Sequence, residues 1–161
     1  MLLKDYLPNI NKKFKNFNFS GLAFNSKEVK KNYIFIAIKG DRFDGNNYIN
    51  DAIKNGAKII ISSKFKDQIK NNIIYLKQKN PRQILSNLSS QIFKKKPLNL
   101  IAVTGTNGKT SIANFYYQIL KKNKKKVASF GTLGISGKKK IENTSNTTFY
   151  PIKIGNNLNY L

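Results

Sequence analysis

The segment with the clearest chemical content is TGTNGKTS, Thr104 to Ser111. A glycine-rich turn of this kind leaves backbone N–H groups unobstructed. At the start of a helix those groups sit at the positive end of the helix dipole, which is where a polyphosphate binds best. Gly105, Thr106, Asn107, Gly108, Lys109, Thr110 and Ser111 are therefore the candidate nucleotide-contacting run. Lys109 adds a full positive charge for the outer phosphates and is the candidate catalytic group, while the Thr110 hydroxyl is placed to ligate Mg2+. The spacing departs from the general phosphate-loop pattern, which asks for a glycine where Val103 stands; the match is to the shorter form G-x-x-G-K-T, Gly105 to Thr110. The chain contains no Cys and no His, so thiolate chemistry and imidazole proton transfer are excluded.

Such a loop works only between a strand and a helix, and the flanking residues supply both patterns. Leu98–Val103 is an apolar run that predicts a strand, and Ile112, Phe115, Tyr116, Ile119 and Leu120 recur at i, i+3, i+4, i+7 and i+8 of a helix ending in lysines. Residues 127–130 (VASF) predict a further strand, giving a βαβ unit with a right-handed crossover in a parallel sheet. Upstream, YIFIAI (33–38), KIIIS (58–62) and IIYL (73–76) read as buried strands. A helix from Tyr48 ends at Asn55-Gly56, and a weak helical stretch lies around Phe65–Lys70. Asn80, Pro81 and Gln83 fit the N-cap, first turn and capping-box partner of a helix that buries Ile84, Leu85, Leu88 and Ile92. That helix runs out at Lys94-Lys95-Lys96-Pro97, which places a domain boundary near residue 97.

Composition narrows the classes. A chain of 161 residues with 40% hydrophobic residues can bury a core. The net charge of +23 suggests a polyanionic partner, yet only Arg42 and Arg82 are arginine among 30 basic residues. Lys, Asn and Ile, all A/T-rich in their codons, together make 72 of the 161 residues. The lysines are dispersed rather than gathered on one stripe, so base bias accounts for much of the charge and no nucleic-acid partner is expected. The N-terminus MLLKDYLPNINKKF lacks a sustained apolar region and no run is long enough to span a membrane, so a cytoplasmic protein without a membrane partner is expected.

IAVTGTNGKTS resembles the nucleotide loop of the Mur ligases, ATP-dependent enzymes of peptidoglycan precursor synthesis, and of the related folylpolyglutamate synthetases. The resemblance extends upstream, where NSKEVKKNYIFIAIKGDRFDGNNYINDAIKNGAKIII is similar to the family's N-terminal UDP-binding domain. It extends downstream too, where GTLG (131–134) and NTT (146–148) resemble segments that contact the UDP-N-acetylmuramoyl substrate in the member adding the third amino acid. The resemblance implies an α/β chain in two parts: a small mixed α/β domain over 1–97 that binds the UDP precursor, and the incomplete ATP-binding central domain over 98–161. It implies ATP and Mg2+ as cofactors, with UDP-N-acetylmuramoyl-dipeptide and an amino acid, diaminopimelate or lysine, as partners.

The resemblance also implies substrate contacts at Ser26, Asn146, Thr147 and Thr148, each with neutral donors and acceptors suited to a uridine, sugar or peptide carbonyl. Lys27 stands where the family usually has Arg, keeping charge but losing the bidentate fork, and Asp44-Gly45 reads best as a turn. The family's acidic metal ligand, carbamylated lysine and amino-acid-recognising domain lie beyond the part that this chain resembles. A fragment inactive by itself is therefore expected. The alternatives are a non-catalytic binding module and, less favoured, a lysine-rich nucleic-acid-binding protein; oligomeric state is left open.

Overall fold

A computed structural model describes residues 1–40, 43–94, 97–137 and 151–152. The chain divides into two compact units, Met1–Ile92 and Phe93–Leu161.

The first unit opens with the short helix α1 (Leu3–Tyr6) and is built on five strands: β1 (Gly21–Ala23), β2 (Tyr33–Ile36), β3 (Ala57–Ser62), β4 (Gln68–Lys70) and β5 (Ile73–Lys77). Helix α2 (Ile49–Lys54) lies between β2 and β3, and α3 (Pro81–Ile92) closes the unit. The sheet order is β1-β2-β3-β5-β4, parallel except for the β4–β5 pair. Ile34, Phe35, Ile36, Ile59, Ile60 and Ile61 are all completely buried. Side chains alternate between faces along a strand, so β2 and β3 are covered on both sides, which is why they read as continuous apolar runs. Phe35 and Ile60 face a cluster with Ala23, Val29, Ile49, Ala52 and Ile73. Each such side chain contributes roughly 1.5–3 kcal/mol on burial.

Two expectations are corrected here. The stretch around Phe65–Lys70 is not helical: Gln68–Lys70 is an edge strand, returned into β5 by Asn71 and Asn72 at φ 51° and 59°. Positive φ at both central residues is the signature of a type I′ hairpin turn, which asparagine tolerates. All three β4 residues are exposed, so no burial alternation marks the strand in the sequence. At α3, the Asn80 side chain accepts from the Gln83 backbone N–H at 3.1 Å as the capping box requires. The Gln83 side chain does not return the bond but donates to Asn87 at 3.0 Å. Leu85 and Leu88 are fully buried, while Ile84 and Ile92 are only half-buried.

The second unit contains α4 (Lys109–Lys122) and the antiparallel hairpin β6 (Ser129–Gly131) to β7 (Gly134–Ser136). The helix forms over the residues that the periodicity predicts. The strand expected over 98–103 does not: among the described residues it has no ladder partner, and Leu98 and Leu100 are 102% and 84% exposed. Of the strand expected at 127–130 only Ser129 and Phe130 are in β6, and that strand pairs with β7 rather than in parallel with 98–103. A strand is a paired object, and apolar composition without a neighbour leaves extended chain.

Candidate functional site

The loop Thr104–Gly108 takes the conformation its glycines permit. Gly105 has φ 141° and Gly108, the N-cap of α4, has φ 76° in the left-handed region, where a side chain would be strained. Thr104 to Gly108 are exposed and lead directly into the helix, so the loop and first-turn amides are open to a ligand at the positive end of a 14-residue helix. Lys109 is half-buried and folds back over the loop. Its Nζ donates to the Gly105 carbonyl and, at 3.0 Å, to the Thr106 carbonyl. The ammonium is thereby held against the loop rather than trailing into solvent. Thr110 and Ser111 are exposed on the first turn of α4, with their hydroxyl-bearing side chains available to solvent. Among the described residues no cluster of three or more acidic, His or Cys side chains could hold a metal. An exposed Thr110 hydroxyl beside bound phosphates fits the oxygen chemistry of Mg2+, which keeps several waters and takes few protein ligands.

A second group of candidate residues follows the carboxyl ends of β1, β2 and β3. Ligands bind open α/β sheets at this edge. Ser26 follows β1 in a 3-10 turn (Ser26–Glu28) and is 7% exposed; the Asn25 side chain caps that turn by accepting from the Lys27 N–H at 3.1 Å. The Ser26 carbonyl accepts from the Asn55 side-chain amide at 2.9 Å. After β2, Asp44 caps a 3-10 turn (Gly45–Tyr48): Oδ1 accepts from the Asn46 N–H at 2.9 Å and from Asn46 Nδ2 at 2.6 Å. Lys64 Nζ, after β3, donates to Asp44 Oδ2 at 2.8 Å. That bond, then those from the Asn46 side chain and backbone, hold the Asp44 carboxyl well below the ordinary carboxylate value. Ser62 completes the group by donating to Asn46 Oδ1 at 2.6 Å. Phe43, next to Asp44, is 71% exposed.

The sequence marks Asp44 as a turn residue and Asn55 only as a helix end, and it does not single out Asn46, Ser62 or Lys64. The only local signal was Asp44-Gly45-Asn46, since the other partners are 16 to 29 residues away in the chain. In the second unit, Gly131 and Gly134 face each other across the β6–β7 turn. Asn146, Thr147 and Thr148 lie outside the described residues.

Comparison with known proteins matches residues 18–96 to the family model described as Mur ligase family, catalytic domain, and residues 103–159 to the Mur ligase middle domain. The chain belongs to the Mur ligase family. It is 41% identical over 127 residues to the UDP-N-acetylmuramoyl-L-alanyl-D-glutamate–2,6-diaminopimelate ligase of Rickettsia typhi, and 40% identical over 147 residues to a second ligase of the same description from Clostridium acetobutylicum. Those alignments cover 79% and 87% of this chain but 25% and 30% of the relatives, so the chain spans less than a third of their length. Among solved structures, one of a ligase with the same substrate description superposes with a TM-score of 0.75 at 26% identity, covering 98% of this chain and 32% of that one. The MurF ligase of Thermotoga maritima in complex with ADP superposes with a TM-score of 0.50 at 32% identity over 63% of this chain and 23% of that one. No helix among the described residues is long and apolar enough to cross a membrane.

Proposed function

We propose that this chain is the precursor-binding and nucleotide-binding portion of an ATP-dependent amide ligase of peptidoglycan synthesis, acting in the cytoplasm. The ligase adds the third amino acid to UDP-N-acetylmuramoyl-L-alanyl-D-glutamate. Residues 1–97 hold the UDP precursor, with Ser26 at the carboxyl edge of the sheet, and residues 98–161 open the ATP-binding domain. Asn146, Thr147 and Thr148 are assigned to the precursor by resemblance. The names of the relatives favour 2,6-diaminopimelate over lysine as the added residue.

The observation that supports this reading best is the exposed loop Gly105–Gly108 running straight into α4 with the Lys109 ammonium drawn over it. ATP, when bound, supplies the phosphoryl group that activates a substrate carboxylate for attack by an amine. The loop amides and Lys109 bind the phosphates and stabilise charge developing on them, and Thr110 offers its hydroxyl at the metal position. Positioning, rather than proton transfer by a side chain, is the contribution of these residues.

Titration of the chain with Mg-ATP and, separately, with the UDP precursor tests both halves. Lys109→Ala is expected to weaken Mg-ATP binding by at least about ten-fold, the loss of one charge-assisted contact, and to leave precursor binding unchanged. Equal nucleotide affinity in wild type and variant would overturn the assignment of the loop.

A further inference from the structure

Two braces meet on one short helix in the first unit. At one end, Lys64 holds Asp44 at 2.8 Å, and Asp44 caps the 3-10 turn that runs into α2. Ser62 reinforces that contact by donating to Asn46 at 2.6 Å and accepting from the Lys64 N–H at 3.1 Å. At the other end, Asn55 is the C-cap of α2 and donates to the Ser26 carbonyl at 2.9 Å, 29 residues away in the chain. The helix between them is anchored by Ile49 and Ala52, both buried in the core. The loop after β3, the loop after β2 and the Ser26 turn are thus tied together through six helical residues.

We propose that Lys64 and Asn55 are positioning residues of the precursor site. Lys64 fixes the start of α2 through Asp44, Asn55 fixes the Ser26 turn to its end, and the loops that α2 ties together are preorganised before the ligand arrives. The inference rests on the proposed role of residues 1–97. A loop ordered in advance loses less conformational freedom on binding, so a brace raises affinity without touching the ligand. Neither residue is needed for the core: Asn55 is exposed and the Lys64 side chain is 51% exposed.

Calorimetric titration with UDP-N-acetylmuramoyl-L-alanyl-D-glutamate, combined with amide hydrogen exchange, tests it in the whole chain. Lys64→Met and Asn55→Ala are each expected to weaken precursor binding by about three- to ten-fold, as suits one exposed ion pair or one hydrogen bond. Lys64→Arg should restore binding to within about two-fold, Mg-ATP affinity should not move, and the thermal midpoint should shift little. The double variant should be less than the product of the singles, because both act through α2. Exchange at residues 26–29 should accelerate in Lys64→Met although Lys64 does not touch them. Wild-type affinity in both single variants, or Lys64→Arg as weak as Lys64→Met, overturns the proposal. Failure of the wild-type chain to bind the precursor overturns the functional reading instead, and unchanged exchange at 26–29 in Lys64→Met would then overturn the brace independently.

Discussion

Helices α3 and α4 carry similar amphipathic patterns and meet opposite fates. Helix α3 lays Leu85 and Leu88, both fully buried, onto a five-stranded sheet. Helix α4 has no buried residue, and Ile112, Phe115, Tyr116 and Ile119 are 46% to 62% exposed. An apolar stripe makes a helix amphipathic; it does not supply the surface that covers the stripe. In the first unit that surface is a sheet, parallel except for its β4 edge, whose central strands are covered on both faces. In the second, the described sheet is a two-stranded hairpin, too small to form a core by itself. The loop before α4 nonetheless runs straight into the helix with Gly105 and Gly108 at positive φ, because glycine torsions and the helix start are local matters.

The sharpest way to break this contrast is to truncate equivalent apolar residues in each unit. Ile60→Ala should destabilise the first unit by about 3–4 kcal/mol in urea titration, since it opens a cavity in a sealed core. Phe115→Ala, at a residue 62% exposed, should change stability by less than about 0.5 kcal/mol. Comparable losses at the two positions would mean that α4 is packed as the core of the first unit is.

A smaller effect sharpens the account of α3. Ser89 is 2% exposed and its hydroxyl has no hydrogen-bond partner among the described residues. Ser89→Ala should stabilise the first unit by about 1 kcal/mol, because an unsatisfied buried hydroxyl is removed at almost constant volume. A loss of stability would show that the hydroxyl is satisfied in solution.

The smallest effect concerns pH. The Asp44 carboxyl is lowered in the folded state from its ordinary value of 3.8, first by Lys64 and then by Asn46. A depressed acid contributes stability above its unfolded value and loses it as pH falls through the folded one. The thermal midpoint of the first unit should therefore be insensitive to Asp44 between about pH 5 and 8 and decline below about pH 4. Asp44→Asn should flatten part of that decline, and an identical acid limb in the variant would remove Asp44 from the account.

Much of the first unit was legible in the sequence. YIFIAI, KIIIS and IIYL announced β2, β3 and β5 because strands covered on both faces must be apolar throughout, and Asn80 with Pro81 announced the start of α3. The edge strand β4 was not legible, because its exposed residues carry no alternation and its turn depends on two asparagines at positive φ. At the candidate sites, the G-x-x-G-K-T loop was complete in six consecutive residues. The group around Asp44 was not, because Ser62 and Lys64 reach it only after the chain has passed through β3, and Asn55 meets a Ser26 carbonyl 29 residues back in the chain.

The amino-acid order by itself determined the local objects: the loop Thr104–Ser111, the helix that follows it and the apolar strands of the first unit. Each depends on torsional preferences and periodicities within a dozen residues. Only tertiary structure decided which apolar stripe is buried, whether 98–103 pairs, and how Asn55 meets Ser26. Those outcomes depend on partners distant in the chain, and the free energy of burial and pairing exists only when both surfaces are present.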